Sequence, residues 1–506
     1  MLATRSLALA ALLLFPCTRV EAQRGQRLDP GRSARASAVA FTPGNLLVTD
    51  ARNVREYTRD GEFVQQIPVP HPDTTRYDAT DAVVDRRGRL HVLNIAPFSN
   101  DYISTFDTET GTWEHHPITA FLGNISDGDL HIRGEVLFTK SLAIPLSDFV
   151  PVPIPQPAFL SVAEYVVAQS GNLFGINAGS PRFEVWELDP LDFSLLRTRT
   201  LRDSFGFRLS ARGLALPRQG GIFAADWDGR IYEYDDDANY LRDVPTGANN
   251  LTNIDVSWDG LLTVGSRFGQ VVVTDRSLSS ILTFPVGGSL LYSGFVPPRE
   301  LRIDFDTSFG AELALENGRV VDGGTLFDGL VEIEGTAASG NRAALFDSAP
   351  LGPNAFADDP DLLVDKGNVL ILQEAGAQSV AGVYDEPDDD RFGGTFRIVF
   401  PGIPVAPCSI DLIDICPGVT EDAFLTLVDE RGRERRYHVP AGWTEDPFLE
   451  GGAGWRTLDL RSTAPQPGHQ AIATASEDEG FDAGAVTELR IELEGSGAID
   501  DLVFQP

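Results

Sequence analysis

Short apolar runs, each broken by a polar turn that carries a glycine, recur six times in the first 300 residues. The copies are VAFTPGNLLVTD (39–50), AVVDRRGRLHVLN (82–94), DLHIRGEVLFTK (129–140), EYVVAQSGNLFGIN (164–177), GLALPRQGGIFAAD (213–226) and IDVSWDGLLTVGS (254–266). Each predicts strand, tight turn, strand. The turn glycines Gly44, Gly88, Gly134, Gly171, Gly220 and Gly260 lie 44, 46, 37, 49 and 40 residues apart. A period of roughly 40–45 residues built from short strands marks a β-propeller blade.

In five of the six units a second strand pair follows, for example VREYTRDGEFVQQIPV (54–69) and IYEYDDDANYLRDV (231–244), with Asp, Gly, Thr or Ser at its middle. Two hairpins per unit give a four-stranded blade, and six blades fit residues 35–298. The third unit departs from the rule. Its outer part, Pro145 to Pro157, is too rich in proline for a central strand and predicts an edge excursion or a loop.

The run Asp226-Trp227-Asp228-Gly229-Arg230-Ile231-Tyr232, with Arg59-Asp60-Gly61-Glu62-Phe63 and Arg86-Arg87-Gly88-Arg89-Leu90, resembles the hairpin signature of NHL-type six-bladed propellers. That family includes binding platforms and calcium-dependent lactonases or esterases, so the resemblance implies a fold and leaves the activity open.

From Leu301 the period weakens and aspartate and glycine increase. In order come Ile303-Asp304-Phe305-Asp306, Phe346-Asp347-Ser348, Asp359-Pro360-Asp361-Leu362, Gly367-Asn368-Val369-Leu370-Ile371, Pro387-Asp388-Asp389 with Gly393-Gly394, and Gly495-Ser496-Gly497-Ala498-Ile499-Asp500. That ordered set resembles a module of secreted bacterial proteins, often found beside sorting tails of the PEP-CTERM kind. The resemblance implies a jelly-roll-like acidic β-sandwich over 299–506. The whole chain is therefore expected to be all-β, a six-bladed β-propeller followed by a jelly-roll-like β-sandwich.

Charge narrows the partners. The 506 residues carry 74 acidic and 40 basic side chains, a net charge of -34. A surface so negative repels phosphate backbones and anionic lipid, so neither nucleic acid nor a membrane surface is an expected partner. Lysine occurs only at Lys140 and Lys366, a bias read here as codon usage. Residues 1–22 read as a signal peptide: Arg5, an apolar run from Leu7 to Phe15, and small residues at Val20 and Ala22. The expected location is thus secreted, extracellular or periplasmic. No later stretch is apolar enough for a membrane span, and Leu502 to Pro506 offer no hydrophobic anchor. Cys408 and Cys416 flank a single predicted strand, too extended for a disulfide between its ends, and are expected to be unpaired.

Calcium takes oxygen ligands, and aspartates clustered on turns supply them. The candidate metal ligands are Asp304, Asp306, Asp359, Asp361, Asp388, Asp389 and Asp501, the last brought near Asp304 if the final strand pairs with the first. Trp443, Trp455 and Tyr437 are candidate sugar platforms. In the propeller, Asp81 and Asp85 are candidate channel ligands. His91 and His131 are expected in core or channel. The adjacent His115 and His116 point to opposite faces of a strand, and His71, His438 and His469 are assigned no role. No nucleophile elbow, zincin helix or phosphate loop occurs in the sequence. The expected function is non-catalytic binding of an extracellular polysaccharide or surface protein. The alternatives are a metal-dependent lactonase or esterase in the propeller channel and an interaction scaffold of the cell envelope.

Overall fold

The computed structural model describes residues 40–506 apart from 71–77, 96–100, 119–129, 140–141, 155–163, 170, 178–183, 210, 219, 289–291, 309–312, 328, 357–359, 416–421, 446–451, 466–469 and 473–479. The expected signal peptide lies outside the described residues. Ala38–Pro506 form one compact unit.

Six antiparallel sheets of four strands each account for the first half. The glycine at every repeat turn has positive φ, for example 78° at Gly88 and 84° at Gly260, which is why glycine marks the period. The first unit corrects the sequence reading. Ala40 and Phe41, the described residues of the expected inner strand, lie outside any strand. That place is taken by Tyr292–Phe295, which pairs with Leu46–Asp50 in the register Val48↔Ser293. The ring therefore closes with a strand from the far end of the propeller, which completes the four strands of that blade. In the third blade the described part of the Pro-rich segment ends the strand Leu142–Pro145 and supplies the two-residue edge strand Val152–Pro153.

Alternation along the strands builds the interior. Every residue of Leu46–Asp50, Ile222–Asp226 and Leu262–Ser266 is buried, because each blade face packs on a neighbour. Leu46 and Val48 join Val271 and Val273 of the sixth blade. Leu47, on the opposite face of the same strand, joins Ala82 and Val92 of the second. Each neighbouring pair of blades shares one such cluster.

The second half is a sandwich. One sheet runs Val320–Val321, Ala343–Asp347, Asn368–Leu372, Ala498–Gln505, Ala406–Ile413, Trp455–Asp459, with Leu301–Ile303 also paired to Ala498–Gln505. The facing sheet runs Glu332–Ala337, Gly394–Val399, Val486–Leu493, Ala423–Asp429, Glu434–Val439, Gln470–Ile472. First and last strands are thus neighbours, Arg302 opposite Val503. Phe305, Leu345, Phe396, Leu427, Leu489 and Phe504 meet in the core between the sheets. A second cluster, with Phe346, Ile371, Tyr384 and Ile413, covers the outer face of the first sheet.

The sandwich seats on the end of the propeller formed by turns between first and second strands. Arg86, in that turn of the second blade, donates to the carbonyls of Pro404, Gly484 and Pro506. Arg133 of the third blade pairs with Glu430 at 2.9 Å. A Cβ on Gly171 of the fourth blade would stand 2.4 Å from the carbonyl oxygen of Gly402, so that turn tolerates only glycine. Trp258 of the sixth blade packs against the sandwich core, with the Arg218 guanidinium 4.4 Å from its ring centre.

Candidate functional site

The innermost strands surround an axial cavity of about 130 Å³, lined by Asp81, His131, Gln169, Asn253, Asp255 and Ser293 among aliphatic side chains. Ile403 of the sandwich also lines it, so the seated sandwich stops one end. The polar groups mostly tie blades together. Asp81 accepts from its neighbour Ala82 N and, across the blade gap, from Leu130 N at 2.9 Å. Asp255 accepts from Val256 N and from Phe295 N at 3.1 Å. Asn253 bonds both N and O of Ser293, and Thr49 donates to Thr80 O at 2.6 Å. Burial raises the Asp255 carboxyl to about 6 and lowers His131 to about 4.

Asp85 is not a channel residue. It sits in the turn of the second blade, bonded to Arg89 N and Nε and 3.0 Å from His91 Nε2. Burial alone would raise its pKa, but His91 and Arg89 hold it below the ordinary value. His91 is fully buried and reaches Thr105 Oγ1 with its other nitrogen. His115 bonds Ser104, whereas His116 stacks on Phe149 with ring centres 3.6 Å apart. The two adjacent histidines serve different neighbours, as strand alternation requires.

The acidic half has its carboxylates largely engaged. Asp304 accepts from Asp306 N and Thr307 N. Asp306 accepts from Asn368 N at 2.7 Å, and burial raises its pKa. Asp389 accepts from Ser496 Oγ and Gly497 N, both at 2.7 Å. Asp361 lies in a short 3-10 turn, Pro360–Leu362, and Asp388 donates its N–H to Gln373. Asp359 lies outside the described residues, as do His71, His469 and Cys416. Asp501 is held by Arg302 and by Lys366, the latter at 2.9 Å. Among the described residues no group of three or more carboxylate, imidazole or thiol side chains is arranged to hold a metal ion. His438 pairs with Asp422 at 2.7 Å, and Cys408 is a buried free thiol.

Two proposed sugar platforms are structural. Tyr437 and Trp443 are buried in the sandwich core, with the Tyr437 hydroxyl donating to Leu460 O. Trp455 is half-buried beneath the Lys366 ammonium, 4.0 Å from its ring centre. They went inward because the sandwich needs large apolar bodies, and a tyrosine can enter the core once its hydroxyl finds a carbonyl.

Lys366 was missed in the sequence, although its rarity was the available signal. Its ammonium stands 2.6 Å from Asp411, 2.9 Å from Asp501 and 3.6 Å from Asp500. Asp411 and Asp500 face each other across paired strands, and the register slips between Ser409 and Asp411. Asp501 sits in that bulge at φ 50°. The bulge breaks the alternation that would send consecutive side chains to opposite faces, and both carboxylates reach one ammonium. Asp500 is 1% exposed and its Oδ1 accepts no hydrogen bond. Burial, then the Asp501 charge, raises its pKa to about 8. For Lys366, burial opposes the charge, but Asp411 and Asp501 keep the pKa above its ordinary value.

The opposite, loop end of the propeller carries the other unforeseen group. Strand polarity places there the turns between second and third strands and the connections between blades. Trp227, in such a turn, lies under Arg212 and Arg267, 4.2 and 5.8 Å from its ring centre. Asn250 stitches this turn to the next blade, donating to Trp227 O and accepting from Arg267 N. Phe268 is 65% exposed beside it, and the connection after Leu201 folds back on itself at Gly206 to present Phe205, 84% exposed, and Phe207, 71% exposed.

No protein-family model matches the chain, and no curated protein matches it. Among solved structures, the crystal structure of TolB from Acinetobacter baumannii aligns with 50% of this chain and 67% of its own at 12% identity and a TM-score of 0.38. That likeness is too distant to carry a function across.

Proposed function

We propose that this chain is a secreted, non-catalytic binding protein that engages an extracellular glycan or surface polymer on the loop face of the propeller. The observation that carries the reading is the set of exposed rings there, Phe205, Phe207 and Phe268. Large apolar rings left in water at one end of a domain are the usual mark of a contact surface. Flat aromatic faces suit sugar rings, and Arg208 and Arg267, both exposed, suit the carboxylate or sulfate of an acidic polymer. Guanidinium groups gathered there matter more because the chain as a whole is at -34. The channel offers less support for a hydrolase: its two lining carboxylates, Asp81 and Asp255, already accept backbone N–H groups from adjoining blades.

The test is retention of the full mature chain on neutral and acidic polysaccharides, with calcium and with chelator. Retention by an acidic polymer, weakened at least about tenfold in Phe205→Ala/Phe207→Ala and in Arg267→Ala, is the expected result; each stacking ring or charged contact is worth about 1–3 kcal/mol. Retention on no polymer, or variants that bind as the parent does, would overturn the reading.

A further inference from the structure

The site around Lys366 goes beyond polymer binding and lies in the other half of the chain. We propose that Lys366 and Asp411 join in an intramolecular isopeptide bond, an amide between Nζ and Cγ, formed by the chain itself. The ammonium and a carboxylate oxygen are already 2.6 Å apart. Both side chains are largely withdrawn from water, 12% and 5% exposed. Two reacting groups fixed in contact gain the large effective concentration that makes amide formation competitive. Exclusion of water removes the reagent of the reverse reaction.

The neighbours supply the rest of the chemistry. Asp501 is placed to take a proton from Nζ, at 2.9 Å, which frees the amine lone pair. The amine attacks Cγ of Asp411 and a C–O bond breaks. Thr457 donates to Asp411 Oδ1 at 2.5 Å, which polarises the carboxyl for attack. Asp500, buried opposite Asp411 with one oxygen unbonded, is the acid that passes a proton to the departing oxygen. Two of the three ammonium protons leave with that oxygen as water and the third stays on the amide nitrogen. Nothing is oxidised or reduced, and no co-reactant is consumed. The Trp455 ring covers the ammonium and keeps it in the reacting position.

The bond would fasten the segment leading into Asn368–Leu372 to Ala406–Ile413. Between those two strands lies Ala498–Gln505.

Mass spectrometry of the full mature chain tests this. The expected result is a mass short by one water, and after proteolysis a branched peptide joining the segments of Lys366 and Asp411. Lys366→Arg keeps the cation over Trp455 but cannot form this amide; it should fold with the same circular dichroism, carry the full mass and yield two separate peptides. Asp500→Asn should fold and remain unlinked. Separate peptides from the parent chain would overturn the proposal. So would a parent chain that instead binds one calcium ion with Lys366 unmodified. Complete linkage in Asp500→Asn would overturn the proton relay.

Discussion

The channel predicts a pH response in which two buried groups oppose each other. Asp255 rises from an ordinary 3.8 to about 6, so the folded state holds its proton more tightly than the unfolded state. Its contribution is present in full below pH 3.8 and is lost as pH rises through about 6. His131 falls from 6.5 to about 4, so the folded state resists protonation. Its contribution is present in full above pH 6.5 and is lost as pH falls through about 4. The two windows nearly coincide and the slopes have opposite sign. Each shift corresponds to about 3 kcal/mol between its limits, and in the parent chain they largely cancel. Asp255→Asn leaves His131 alone, so stability should drop by about 3 kcal/mol, relative to the parent, between pH 6.5 and pH 4. His131→Gln leaves Asp255 alone, so relative stability should climb by a similar amount over the same interval. Urea midpoints at closely spaced pH values measure both, and carboxylates elsewhere cancel in the comparison with the parent. Curves for both variants that run parallel to the parent would refute the linkage argument.

Three further outcomes are expected. Arg86→Ala leaves three carbonyls of the sandwich without their charged donor and should weaken its seating by about 3 kcal/mol; the check is whether one unfolding transition becomes two, with new cleavage near 297–301. Ser293→Pro places a proline in the strand that closes the ring, opposite Val48, and should cost about 3 kcal/mol or more, read from the urea midpoint. A covalent link from 366 to 411 closes a loop of about 45 residues, so Lys366→Arg should lose about 4 kcal/mol of stability against urea on the chain-entropy model.

Much of the architecture was legible because backbone geometry writes itself into sequence. A tight turn with φ near 80° selects glycine, and six such turns at blade spacing announce a propeller. The same reasoning handled His115 and His116, since strand alternation is local. What could not be read depended on the other end of the chain. Nothing in Tyr292–Phe295 distinguishes a closing strand from the first strand of another hairpin. The aromatics divided by topology and not by type: Tyr437 and Trp443 went into the core, while Phe205 and Phe207 stayed outside because Gly206 turns a connection back before it can be covered. The sequence offers Asp501 as a candidate calcium ligand beside Asp304, with no sign of a cationic side chain near it. A bulge brings Asp500 and Asp501 to one ammonium, and that lysine, put down to codon usage, comes from 134 residues upstream of Asp500.

The ring is shut by Ser293 against Val48, and the sandwich begins with a strand that must wait for Leu502 to Phe504. Neither half can finish while its opening segment is the only part made. Contacts this distant in sequence slow folding, because the chain pays the entropy of closure before the contacts reward it. A nascent chain would therefore hold open strand edges through most of its synthesis, a state prone to wrong pairings. The two closing strands thus act as successive timers: the ring waits for Tyr292–Phe295, and the sandwich waits for Leu502 to Phe504.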